Sequence, residues 1–308
     1  MPPQPAELFD RALLRRRMAR AAEQAARHDF LLARAVEDML LRLQAVLRDF
    51  PLALDLGTPG DRLAQGLLHH PRVGRVIAAG YTAMAESDED RILGLRCDEE
   101  ALPFAPSSLD LVATAFALHA VNDLPGTLLQ VRRALKPDGL FLGALLGGRT
   151  LHELRQCLTE AEVAVCGGAS PRVAPFADVR DCGALLQRAG FALPVADADI
   201  VTVSYSDILA LMRDLRGMGM TNVLKERARR PMRRDVLRKA GEIYASRHRS
   251  PDGRVGATFE ILHLTGWAPH ESQPKPLAPG SARSRLADAL ATTERSAGEK
   301  AGPAKRKN

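Results

Sequence analysis

Aromatic residues are scarce in this chain. Nine Phe, three Tyr and one Trp make 4% of 308 residues, so Leu, Ala and Val must fill the core. Cysteine is scarcer still. Cys97, Cys157, Cys166 and Cys182 form no C-x-x-C pair, which excludes a secreted disulfide framework and points to a reducing, cytoplasmic compartment. Cys157, Cys166 and Cys182 fall in helical stretches and are expected to be core thiols. No apolar run approaches the roughly 20 residues that a membrane-spanning helix needs. The opening MPPQPAELFDRALLRRRMARAA is Arg-rich, but it carries Glu7 and Asp10 and lacks an apolar segment. It reads as the start of a helix rather than as a targeting peptide. The eight His are scattered and form no His-x-Asp pair, so no metal site is expected.

What is present suits one large domain with a helical annex and tails. Apolar residues make up 46% and charged residues 26%. The net charge of +6 fits either an anionic partner surface or a soluble Arg-rich protein. The densest basic run, KERARRPMRRDVLRK at Lys225–Lys239, reads as a solvated helix face or a peripheral contact at the inner face of a membrane. No aromatic residue interleaves it, so nucleic acid is not an expected partner.

The first fifty residues carry helical spacing at Leu13, Leu14 and Met18, then at Leu32, Val36, Met39, Leu40 and Leu43, with Pro51 as the stop. Apolar runs then alternate with helical stretches. The expected strands are Leu52–Leu56, Arg75–Ala79, Ile92–Arg96, Leu109–Ala115, Leu140–Leu146, Asp199–Tyr205 and Ala257–Gly266. Helices are expected from near Arg62, Pro125 and Thr150, over 177–189 before Gly190, after a Ser206 cap, and from Pro231. This alternation predicts an α/β fold, a doubly wound parallel sheet over 51–267. Helices precede it over 1–50, and a helical insertion at about 206–248 comes before the last strand. A disordered tail is expected over 268–308, chiefly from about residue 275.

In a nucleotide-binding sheet the first strand ends in a glycine turn, where bare backbone lets amides approach the ligand. Here that turn reads Asp55-Leu56-Gly57-Thr58-Pro59-Gly60-Asp61. Pro59 fixes φ and removes a donor. Asp61 places a negative charge at the start of the next helix. The second strand ends Ile77-Ala78-Ala79-Gly80, without an acid for ribose hydroxyls; losing such a pair of bonds costs roughly 1–3 kcal/mol. After the fourth strand come His119, Asn122 and Asp123, at the edge where doubly wound sheets place ligands. His119 could act as a base or orient a substrate, or pack beneath a helix capped by Asn122. Arg149, after the fifth strand, could grip a carboxylate or stand solvated beside a cap. His119, Asn122 and Arg149 are the candidate catalytic residues.

Several blocks together resemble one branch of the S-adenosylmethionine (SAM) methyltransferases: the complex I assembly factor 5 proteins and their alphaproteobacterial relatives. They are LFDRALLRRRMARAA, LALDLG with Ala64-Gln65, LPF…LDLV…LHAVNDLP, LKPDGLFLGALLGGRTLHELR, SPRVAPFADVRDCGALLQRAGF, Asp214-Leu215-Arg216-Gly217-Met218-Gly219 and TGWAPHESQPKP. Together they span roughly residues 8 to 276. Small-molecule methyltransferases of biotin synthesis share the core and are expected to lack the later blocks.

The resemblance implies a seven-stranded methyltransferase sheet whose members assist assembly of respiratory complex I. Eukaryotic members are associated with hydroxylating an arginine on a quinone-site subunit. It implies SAM held by Asp55, Gly57 and Gly60, by position 80 (Gly80 here) and by Asp98, with Glu99 and Phe116 completing the contacts. Asp98 would meet the adenine amino group, or serve as a plain turn residue. Three roles stay open: a SAM-dependent enzyme acting on a protein side chain, a non-catalytic assembly factor on the same scaffold, and a small-molecule methyltransferase.

Overall fold

The computed structural model describes residues 7–81, 91–274, 286–289 and 291–293. The chain divides into two units, Met1–His270 and Glu271–Asn308. The second contains one short helix among its described residues, Leu286–Ala289. Most of the expected tail lies outside the described residues.

Two helices open the first unit, α1 (Arg11–Ala22) and α2 (Phe30–Gln44). The α2 helix buries Leu31, Ala35, Val36, Met39 and Leu43, one stripe at helical spacing. Seven strands follow: β1 (Phe50–Leu56), β2 (Val73–Gly80), β3 (Ile92–Arg96), β4 (Leu109–Ala115), β5 (Leu135–Leu146), β6 (Ala192–Tyr205) and β7 (Val255–Trp267). Between them lie α3 (Arg62–Leu68), α4 (Leu124–Ala134), α5 (His152–Cys166), α6 (Val179–Arg188), α7 (Ile208–Gly217) and α8 (Arg234–His248).

The strands form one sheet in the order β3-β2-β1-β4-β5-β7-β6. From β3 to β5 every pairing is parallel. The last strand departs from the expected parallel sheet: β7 runs antiparallel to both neighbours, with Leu140↔Trp267 and Tyr205↔Val255 at the ends of its ladders. Central β1 buries Ala53, Leu54, Asp55 and Leu56 in succession, because helices cover both faces. One face packs α2, α3, α5, α7 and α8 around Phe50, Met39, Leu211, Tyr244 and Phe259. The other packs α4 and α6 around Leu128, Val131, Cys182, Leu186 and Phe141.

Several local expectations are corrected. Pro51 stops no helix; α2 ends at Gln44, and Pro51 is the exposed second residue of β1. Asp207, not Ser206, caps α7 by accepting from the Ala210 amide at 2.7 Å. Asp123, not Asn122, caps α4 through Gly126 N. The α8 helix begins at Arg234, three residues beyond Pro231. Cys166 is exposed, while Cys97, Cys157 and Cys182 are buried.

Thr150 does not cap α5. Its hydroxyl lies against β7, taking a bond from Glu260 N at 3.1 Å. The helix start is instead knitted to β7 by Thr258, which donates its hydroxyl to Glu153 at 2.5 Å, and by Leu151 N to Thr258 O.

Candidate functional site

Parallel strands that end together leave their loops clustered at one edge. At that edge the structure encloses a cavity of about 360 Å3. Its floor includes Gly57 and Pro59 after β1, Tyr81 after β2, Glu99 after β3, Phe116 and His119 after β4, and Leu146 at the end of β5. The α1 helix forms the roof, and the segment from α7 to Met232 closes the far side. Two lining residues other than glycine hold left-handed backbone, Phe116 and Leu151, both at φ 54°. Strain of this kind persists only where the surroundings over-determine it.

The roof is pinned at its first turn. Phe9 pairs antiparallel with Leu224, and Asn122 grips the Phe9 backbone from below, accepting from its amide at 2.8 Å and donating to its carbonyl at 3.2 Å. One turn along, Arg11 and Arg15 share a face at i, i+4 spacing, and both reach the acidic turn after β3. Arg11 lies 2.7 Å from Asp98, 2.5 Å from Glu100 and in contact with Glu99; Arg15 contacts Asp98. The Arg15 guanidinium also stacks on Tyr81, 3.5 Å from the ring centre.

These contacts settle how the acids titrate. Burial pushes the Asp98 carboxyl up, but the Glu100 amide, Arg11 and Arg15 outweigh it and hold the group below the usual carboxylate range. Glu99 goes the other way: its burial prevails over Arg11, and its carboxyl is raised.

Gly57 explains where Glu99 sits. It holds φ +71°, and a Cβ there would come within 2.9 Å of both the Glu99 Cγ and the Ala117 Cβ. The bare face of the glycine turn is thus already covered by this chain's own carboxylate. Gly60 also has positive φ, at +73°, but faces open space. Gly80 packs against Gly57, 3.4 Å from its Cα to a Cβ position, and accepts from Cys97 N. Asp61 precedes α3 without a side-chain capping bond and is exposed.

Asp55 is buried with neither oxygen in good hydrogen-bond geometry. Burial raises its carboxyl to about 7, opposed by the Thr58 hydroxyl and amide and the Ala64 amide. His119 is flanked edge-on by Phe116 and Phe176, with ring centres at 6.3 and 5.9 Å. Its Nδ1 is enclosed without a partner, and burial lowers its pKa to about 4. It therefore presents a neutral imidazole to the cavity.

Of the residues singled out from the sequence, Gly57, Pro59, Glu99, Phe116, His119 and Asn122 come together around the cavity. Arg149 does not; it is exposed, and its amide donates to Glu260. Asn122 anchors the roof. Sequence reasoning passed over Arg11 and Arg15, because an Arg-rich helix face gives no sign of what it will lie against. It also passed over the methionines that line the α7 side, Met212, Met218, Met220 and Met232.

A methyltransferase-domain model matches residues 54–143. The mitochondrial arginine hydroxylase NDUFAF5 of Homo sapiens is 40% identical over 286 residues, covering 91% of this chain and 82% of that protein. That of Danio rerio is 38% identical, over 91% and 89%. The chain belongs to this methyltransferase-fold family. A malonyl-[acyl-carrier protein] O-methyltransferase of Halorhodospira halophila is 34% identical over 87% of this chain. Likeness to that enzyme therefore runs well past the residues that the domain model matches. The YcgJ protein of Bacillus subtilis has the same fold, with a TM-score of 0.51 at 15% identity over 77% of this chain and 99% of that one.

The methyltransferase-domain match makes SAM the cofactor whose fit is tested on the residues present. As arranged, they do not fit it. Glu99 covers the glycine turn, Asp98 is engaged by two arginines, Gly80 offers no carboxylate, and Pro59 offers no amide. Among the described residues no group of His, Cys, Asp or Glu is placed to hold a metal ion.

Proposed function

We propose that this protein acts on an arginine side chain of a partner protein, on a methyltransferase scaffold, during assembly of respiratory complex I. The observation that carries this reading is the cavity itself: a largely apolar chamber with the Glu99 carboxylate at one end, in a chain about 40% identical to NDUFAF5 over nine-tenths of its length. An arginine side chain has the same polarity along its length, an apolar stem with a cationic head. The net charge and the exposed basic segment over 225–239 suit a peripheral contact at the inner face of a membrane, with no helix long and apolar enough to cross one among the described residues.

A second reading is favoured by one observation: the polar groups that would hold SAM are turned on each other or on α1. On that reading the protein is an assembly factor that binds without modifying.

Deletion of the gene, followed by native gels for complex I and peptide mass spectrometry of its subunits, separates the two. The first reading expects loss of assembly together with loss of one arginine carrying a modification, both restored by the wild-type gene and not by Glu99→Gln. Loss of assembly with no modified arginine in the wild type leaves the non-catalytic reading. Unaltered complex I sinks both.

A further inference from the structure

The acidic turn after β3 already holds a guanidinium. Asp98, Glu99 and Glu100 converge on Arg11, whose side chain is only 11% exposed. Its Nη1 is shared between Asp98 and Glu100 and its Nη2 goes to Glu99, while Nε is enclosed without a hydrogen-bond partner. Charge retains the group there, while the forked, bidentate geometry that makes arginine–carboxylate pairs strong is missing. The acids differ in their other attachments. Glu100 accepts from Asn122 N and, at 3.0 Å, from Asp123 N. Asp98 accepts from Glu100 N at 2.9 Å and serves Arg15. Glu99 has Arg11 as its ionic partner, and its carboxyl faces the glycine turn inside the cavity. A carboxylate so placed requires a cation; left alone it would be a buried unpaired charge, among the costliest defects a fold can carry.

Beyond Glu99 the walls are largely apolar, with Leu146, Leu151, Met218 and Met220; the other lining arginines, Arg15 and Arg172, are paired with Asp98 and Glu162. Methionine walls adapt to irregular shapes. Another buried polar atom waits at the same chamber: His119 Nδ1, without a partner.

We propose that Arg11 is an internal stand-in for a substrate arginine, and that the acidic turn Asp98–Glu100, with Glu99 foremost, is a guanidinium-binding site which α1 fills until a partner's arginine replaces it. This rests on the arginine-directed reading of the cavity. Exchange requires no unfolding of the roof, because Phe9 stays held by Asn122 and Leu224 while the Arg11 side chain swings away. An attached arginine competes at high effective concentration, so an incoming one binds weakly until Arg11 is removed.

The test uses the full-length protein and N-acetyl-arginine methylamide as probe, with its lysine and citrulline counterparts as controls, titrated by calorimetry. Arg11→Gln is expected to bind the arginine probe at least about tenfold more tightly than the wild type, as removal of an internal competitor requires. The lysine and citrulline analogues are expected to bind far less well, and adding Glu99→Gln is expected to abolish the gain. Should Arg11→Gln fail to fold, Arg11→Lys keeps a cation but loses the planar fork, and a gain of the same sign is expected. Equal, unselective binding by wild type and variant overturns the site. So does a gain for S-adenosylhomocysteine with none for the arginine probe, which would give the turn to a nucleoside. A modified complex I arginine with no such selectivity would sink this site alone; guanidinium selectivity with no modified arginine would sink the catalytic reading alone.

Discussion

Two residues at the sheet edge, buried Asp55 and partly buried His119, are set to titrate in opposite senses. Asp55 has its carboxyl raised to about 7 by burial. The folded protein therefore keeps a proton that the unfolded chain releases, so the stability tied to this group is full at low pH and lost as pH rises through about 7. Asp55→Asn should flatten that slope. Denaturant melts between about pH 3.5 and 8 would read it, with an upper bound of about 4 kcal/mol on the effect. An unchanged slope in the variant would place the ionisation elsewhere. His119 runs the other way. Its pKa is lowered to about 4 by burial, so its contribution is present above the ordinary imidazole value and lost as pH falls towards about 4. His119→Phe should make the protein less acid-sensitive over that window; full acid sensitivity in the variant would assign the effect to other groups.

At the scale of elements, the turn after β1 offers an internal control. Gly57 and Gly60 both hold positive φ, but a Cβ meets Glu99 and Ala117 at 2.9 Å only at Gly57. Gly60→Ala should cost about 1 kcal/mol from backbone strain alone. Gly57→Ala should cost more, about 2–3 kcal/mol, because the Glu99 side chain must also move. Equal losses in thermal melts would mean that Glu99 does not rest on Gly57 in solution. On the opposite side of the cavity floor, Asp123 accepts from Gly126 N at 2.8 Å to start α4, and Asp123→Ala should cost about 1 kcal/mol.

For the whole molecule the decisive measurement is ligand-linked stability. A ligand that binds the folded state raises the melting temperature, and the more so the further its concentration exceeds its dissociation constant. With Glu99 on the glycine turn and Asp98 held by Arg11 and Arg15, S-adenosylhomocysteine at about millimolar concentration is expected to give no shift in the wild type. A concentration-dependent upward shift would show that α1 yields to the nucleoside, and would restore SAM as a ligand of this chain.

Short apolar runs between helical stretches were enough to locate the strands, although β5 and β6 begin at Leu135 and Ala192, well before the expected Leu140 and Asp199. Ile92–Arg96 and Leu109–Ala115 match β3 and β4 residue for residue, because a strand's period and its limits are written in consecutive side chains. The clustering of Gly57, Glu99, Phe116 and His119 was also legible, since parallel strands oblige their following loops to meet. Three things were not. The reversed direction of β7 depends on pairing with β5 across more than a hundred residues. The start of α5 is decided by Thr150 and Glu153 reaching β7, where local propensity favoured a simple cap. And the roof depends on Phe9 finding Leu224 and Asn122, which carries Arg11 onto Glu99. Sequence pattern specifies what each segment is, because it acts through neighbours along the chain. Which charges face which across the cavity is settled only when distant segments pack, and here that packing decides what the site can hold.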